Sequence, residues 1–231
     1  MKIVIIALFS FFSASLLANQ DLTAEQLEAW FESDDLELPT PKIDVNDGEL
    51  VFLNSPPSKP ALHSTNQFII DEKSLESGWL TVNQCFKNLD AMGESEIVYK
   101  NDYLRNLTIK SHENIEQAYV SGPSVQLKNV TRPAKVCVSA EVKNLQTVDD
   151  DKYVLMNGPY HRRFMDGYFP FELTMDIRLP ENLSFVESHP VQQEGFNIEL
   201  RDQQVVINTL FEGMLYTELT FQKKQQQNTA N

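Results

Sequence analysis

Glycine is scarce in this chain, eight in 231 residues, and only two cysteines and two tryptophans occur. So few glycines leave no glycine-rich loop able to bring backbone amides around a phosphate. A Gly-x-Ser-x-Gly elbow is missing too, which removes the usual strand-to-helix setting of a serine nucleophile. Without a Cys-x-x-Cys pair, a thioredoxin-like redox role lacks its central feature. The four histidines, His63, His112, His161 and His189, are widely spaced and form no two-ligand helix motif. Acids outnumber bases by 33 to 19, so the many carboxylate pairs say little about acid–base chemistry. No catalytic residue is assigned, and neither a metal nor a cofactor is expected.

Basic charge is in short supply as well. The formal net charge is −14 at neutral pH, a balance that repels nucleic acid and anionic lipid headgroups. Nucleic acid is therefore the least favoured partner. Apolar runs of membrane-spanning length are absent beyond the first eighteen residues.

Those eighteen residues, MKIVIIALFSFFSASLLA, place Lys2 before an apolar stretch from Ile3 to Phe12, then Ser13, Ala14 and Ser15, and close on Ala18. Basic, apolar and small-residue zones in that order form a secretory signal peptide. Residues 1–18 are expected to be removed, and the protein to be exported to a periplasm or the exterior with no stable membrane span. In such a compartment the pair Cys85 and Cys137 reads as a disulfide. Two unrelated buried thiols are the alternative.

Residues 19–66 read as an acidic helix and a linker. Thr23 and Gln26 form a capping box, and Leu27, Trp30 and Phe31 share one helical face. Residues 21–50 hold ten acids against the single Lys42. Prolines at 39, 41, 56, 57 and 60 punctuate the linker. The aspartates around Asp47 read as a turn, because Gly48 stands fifth from Asp44 where a calcium loop requires the sixth position.

From Phe68 onward apolar residues recur every second position. Leu80 and Val82, Val125 and Leu127, and Val136 to Val142 alternate with polar neighbours. The longest series is Phe171, Leu173, Met175, Ile177 and Leu179, and Phe196, Ile198 and Leu200 repeat the pattern. Period two with turn signals such as Ser121-Gly122-Pro123 predicts an all-β, antiparallel, immunoglobulin-like sandwich over residues 67–222. The region is either one large sandwich or two consecutive modules, 79–146 and 153–222, divided at Asp149 to Lys152. A disordered tail, 223–231, is expected to follow. By alternation, both cysteines face away from the valines and leucines of their strands, so the bond should staple strands outside the core.

One segment, residues 157–170, carries the only adjacent arginines, with aromatics around them. Guanidinium groups grip carboxylate or phosphate bidentately and stack on rings. Tyr160, His161, Arg162, Arg163, Asp166 and Tyr168 are the candidate ligand- or partner-binding residues. Glu212, beside Gly213 at an expected bulge, is added as a possible partner of the arginines. The structural alternative pairs one arginine with Asp166 and makes the segment an ordered corner. The expected function is a non-enzymatic exported protein that binds a protein partner or assists assembly in the cell envelope. The other reading is a module for an anionic small molecule or a glycan centred on 157–170.

Overall fold

The computed structural model describes residues 46–164 and 167–224. The expected signal peptide, the acidic helix and Asp166 lie outside the described residues, as does the tail beyond Lys224. In chain order the strands are β1 (Val51–Phe52), β2 (Leu62–Ile69), β3 (Leu80–Lys87), β4 (Met92–Val98), β5 (Leu104–Ser121) and β6 (Ser124–Val142). They continue as β7 (Leu145–Asp149), β8 (Lys152–Tyr160), β9 (Arg163–Phe164), β10 (Gly167–Tyr168) and β11 (Phe171–Arg178). The last four are β12 (Leu183–His189), β13 (Phe196–Arg201), β14 (Gln204–Glu212) and β15 (Leu215–Lys223). Among the described residues, a short α-helix, α1 (Glu72–Ser77), links β2 to β3, and a 3-10 turn spans Asn101–Tyr103.

The fold is all-β and mostly antiparallel. A nine-stranded sheet runs β1-β14-β11-β2-β3-β6-β4, with β13 added to β14 and β5 added to β6. A four-stranded sheet runs β12-β15-β8-β7, and β9 with β10 forms a small hairpin. All strand pairs are antiparallel except β11 with β2. The two large sheets share one core. Phe68, Val82, Leu173, Met175 and Ile207 from the first meet Tyr153, Leu155, Leu215, Leu219 and Phe221 from the second. Alternation is the cause: on β11, Phe171, Leu173, Met175 and Ile177 are buried while Glu172 and Arg178 are exposed.

Several boundaries differ from the sequence expectation. Strand β2 begins at Leu62, inside the stretch read as linker, and Val51 and Phe52 pair with β14. The prolines end at Pro60, so nothing stops pairing from Leu62 onward. The polar run at Asp149 to Lys152 is the turn of the β7–β8 hairpin. Strands from both sides of it, β11 and β14 with β2, β3 and β6, build one sheet. At the other end, β15 holds Gln222 and Lys223, and the Lys224 amide donates to Asn182 O. Leu200, expected to face inward, is 63% exposed, on a strand that among the described residues pairs only with β14.

Helix α1 escaped the periodicity argument because six residues hold too few turns to show one. Its ends explain it instead. Asp71 accepts from the Ser74 amide while the Ser74 hydroxyl accepts from the Asp71 amide, and Gly78 closes the helix in the left-handed conformation (φ +75°).

The β5–β6 hairpin positions the site. It is eighteen and nineteen residues long on its two arms, and it bends back. Val98 at the end of β4 pairs with Ser124, whereas Gln84 on β3 pairs with Val138. A straight strand would set those two points about 45 Å apart. Yet the hydroxyl of Tyr99 donates to Gln84 Oε1 at 2.6 Å, so the tip of β6 curves over its own base. Strands β3 and β4 lie along the same edge of β6 and are interrupted at 88–91, opposite 131–134. Of the three register slips in β5, two fall at Asn106 and Asn114, both in the left-handed region as bulge residues often are, and the third lies between Ile109 and Ser111. The bent lobe encloses a second apolar cluster, with Leu127, Val130, Val136, Ile115 and Phe86 among its buried members.

Cys85 and Cys137 are bonded, directly opposite each other on β3 and β6 with Cα atoms 4.1 Å apart. Both are half-buried, between the buried Gln84, Phe86, Val136 and Val138. The bond therefore staples neighbouring strands on the face away from the core, as alternation requires.

Candidate functional site

Between the bent lobe and the four-stranded sheet lies a cleft of about 1380 Å³. Its apolar lining comes from four strands: Leu62 and Phe68 on β2, Val82 and Phe86 on β3, and, in the lobe, Ile97 on β4 and Leu127 on β6. Met92, Val98, Tyr103, Met156 and Tyr216 also line it and are large hydrophobic residues left exposed. That concentration of apolar surface around one opening is what a binding face looks like, whereas scattered single residues would carry no meaning.

A polar chain crosses the floor. Tyr99 Oη donates to Gln84 Oε1, Gln84 Nε2 donates to Ser64 Oγ at 3.3 Å, and Ser64 Oγ donates to Asn66 Oδ1 at 2.8 Å. Ser64 and Asn66 are wholly buried, so each link offsets a desolvation cost that apolar neighbours cannot. The Asn66 amide nitrogen ends the chain without a hydrogen-bond partner of good geometry; it lies beside the Tyr160 hydroxyl, whose ionised form it favours. Burial dominates even so, and it pushes the hydroxyls of both Tyr99 and Tyr160 above the ordinary phenol range. Both stay protonated at physiological pH, which keeps Tyr99 a donor.

Of the sequence candidates, Tyr160, His161, Arg162 and Arg163 line this cleft. Arg162 is held by Asp90: its Nε donates to Oδ2 at 3.0 Å and its Nη2 to Oδ1 at 2.9 Å. The guanidinium also sits over Phe164 and Phe169, 5.2 and 5.6 Å from the ring centroids. Arg132 donates to the same Asp90 carboxylate. One carboxylate thus ties two arginines and joins the bend of β6 to the 157–170 segment. Asp90 supplies a carboxylate partner for Arg162; the expected partner Asp166 lies outside the described residues.

Tyr168 is buried and does not itself line the cleft; it pairs with Asn46 and meets His161 edge-on at 5.8 Å. The Arg163 guanidinium lies 5.6 Å from the Tyr168 ring centroid, and its side chain is exposed. Glu212 belongs to β14, opposite Val51, and among the described residues it pairs with neither arginine. Next to it Gly213 has φ +86°, and a Cβ there would stand 1.9 Å from Glu49 O. The glycine permits a tight crossing from β14 in one sheet to β15 in the other.

Asp90, Tyr99, Gln84 and the edge of β4 were missed by the sequence argument. Asp90 lies 72 positions before Arg162, and no local spacing connects them. The turn at Asp47 is as expected: the Gly48 amide donates to Asn46 Oδ1 at 2.7 Å. His63 and Glu172 approach to 3.8 Å on neighbouring strands, but neither lines the cleft. Among the described residues no helix is long and apolar enough to cross a membrane.

No protein-family model matches this sequence, and no curated protein matches it. Among solved structures, it is similar to an M1 zinc metallopeptidase mutant from Deinococcus radiodurans bound to a Tyr-Ser-Ala substrate. That match has 8% identity and a TM-score of 0.39, over 70% of this chain and 42% of the other. A two-domain M1 zinc metallopeptidase mutant bound to L-tryptophan matches at 8% identity and a TM-score of 0.37, over 77% and 44%. The chain spans less than half the length of either structure. Likeness at this level transfers neither activity nor ligand.

Proposed function

We propose that this is an exported, non-enzymatic binding protein whose cleft receives part of another protein. The observation that carries the reading is the pairing of an apolar cleft with exposed rim residues while Arg162, the expected anion ligand, is already held by Asp90. Export rests on the N-terminal signal pattern, and the disulfide agrees with an oxidising compartment. An immunoglobulin-like kinship belongs to the same proposal, supported by two sheets closing on a shared core.

Recognition of an anionic small molecule or glycan is the second reading. It is favoured by one observation: Arg163 and His161 remain exposed at the cleft. Site-specific photo-crosslinking in the native host separates the two. A crosslinker at Met92 or Tyr216, on the cleft, should yield a discrete protein adduct, and one at Leu200, remote from it, should not. Equal adducts from all three positions, or none from the cleft, would overturn the protein-partner reading.

A further inference from the structure

The outer edge of β4 is bare. Among the described residues β4 pairs only with β6. Its neighbour in line, β3, has β2 along the same edge, but that pairing ends at His63 opposite Lys87. The Tyr99 amide donates back toward the hairpin, to Pro123 O. Alternation then turns the backbone groups of Glu94, Glu96 and Val98 outward, over a stretch where the register with β6 is regular. Unpaired N–H and C=O groups beside an apolar cleft form a template for another strand.

Charge and pattern say what that strand is. Ile97 packs into the lobe and Tyr99 reaches Gln84, so one face of β4 looks into the cleft. Glu94 and Glu96 stand on the opposite face, which they share with Met92 and Val98 on the cleft rim; both are exposed, Glu94 lying 3.4 Å from Lys128 and Glu96 accepting from Gln126 at 2.6 Å. On an added strand, neighbours of these two exposed carboxylates favour basic side chains, and neighbours of Ile97 on the inward face favour apolar ones. A second copy of this chain would set Glu94 and Glu96 against their own counterparts, which disfavours self-pairing.

We infer that β4 receives an extended segment of a partner protein, with alternating basic and apolar residues, added as a further strand. The inference rests on the protein-partner reading and adds to it the backbone mode and the sequence pattern. A fluorescent seven-residue peptide of alternating Val and Lys, titrated into the full chain by anisotropy, tests it. Saturable binding is expected. N-methylation of alternate peptide amides should weaken it about tenfold or more, as should replacing each Lys by Glu. Glu96→Pro should do the same without unfolding the sheet, because the Glu96 N–H faces outward and proline is tolerated at such edge positions. The methylated peptide needs no variant, so the test survives if Glu96→Pro fails to fold.

Binding indifferent to N-methylation and to Glu96→Pro would overturn strand addition. So would failure of the peptide to bind. Cleft-specific crosslinks persisting alongside either result would leave the protein-partner reading standing, whereas loss of both would end the two together.

Discussion

Two halves of one strand, β6, lead different lives. From Lys135 to Val142 it runs between β3 and β5, and β2 lies beyond β3. From Ser124 to Val130 it runs between β4 and β5, and beyond β4 nothing pairs among the described residues. Both halves bury one apolar face: Val136, Val138, Ala140 and Val142 at strict period two, and Val125 and Leu127 at period two before the left-handed Asn129 shifts the next buried residue to Val130. Alternation therefore fixes which face is covered and leaves open what lies along the edge. The first half gives the molecule a closed body; the second half leaves backbone groups and apolar surface available to a partner.

The largest expected effect bears on the closed half. Reducing the Cys85–Cys137 bond frees a loop with a sequence separation of 52, which should lower unfolding free energy by about 4 kcal/mol in the chain-entropy model. Urea titration with and without reductant measures it. Leu173→Ala, a wholly buried position in the shared core, should cost about 3 kcal/mol. The equivalent change in the lobe, Leu127→Ala, should cost less, because Leu127 also lines the cleft and its neighbours can relax into that space. Equal losses would erase the energetic contrast between the halves.

Asp90→Ala probes the joint. Asp90 and Arg162 have side chains 18% and 17% exposed, while Arg132 is 46% exposed. Removing the carboxylate leaves one partly buried guanidinium without its acceptor, at a cost of about 2 kcal/mol. Crosslinking from Met92 should weaken as well, since the bend loses its tie to the 157–170 segment. A stable variant with unchanged crosslinking would show that the joint does not shape the cleft.

The smallest effect concerns pH. Burial, and to a lesser extent Lys87, holds the His63 imidazolium below its ordinary value of 6.5, against the opposing pull of Glu172. A depressed folded-state pKa means the unfolded chain binds the proton more readily. His63 should therefore contribute stability above pH 6.5 that is lost as the pH falls below it toward the folded-state value. Stability curves at pH 7 and pH 5 should converge for His63→Gln relative to the parent. A parent that is no less stable at pH 5 would contradict the assignment.

Much of the body was legible in the sequence, because period two reports a half-buried strand directly. Phe171 to Ile177 and Val136 to Val142 needed no structure to orient, and the same parity put Cys85 and Cys137 on the outer face. Pairing between distant segments was not legible. Strand β2 was obscured by the prolines before it, and the ion pair of Arg162 with Asp90 joins residues 72 positions apart. In the site, the 157–170 segment was found through its composition, and Tyr160 to Arg163 do line the cleft. Tyr168 and Glu212 do not. The bend of β6 and the bare edge of β4 follow from lengths and registers that only the folded chain displays.

Amide hydrogen exchange on the free protein tests the contrast most directly. The 4.1 Å spacing of Cys85 and Cys137 marks a pair that does not exchange hydrogen bonds. The amides of Asn83 and Cys85 therefore point toward β2, and those of Glu94, Glu96 and Val98 point outward. Asn83 and Cys85 should be protected at least about a thousandfold more strongly than the three β4 amides. Equal protection of Glu94, Glu96 and Val98 in the unliganded monomer would mean that the edge is already covered, and would contradict the account.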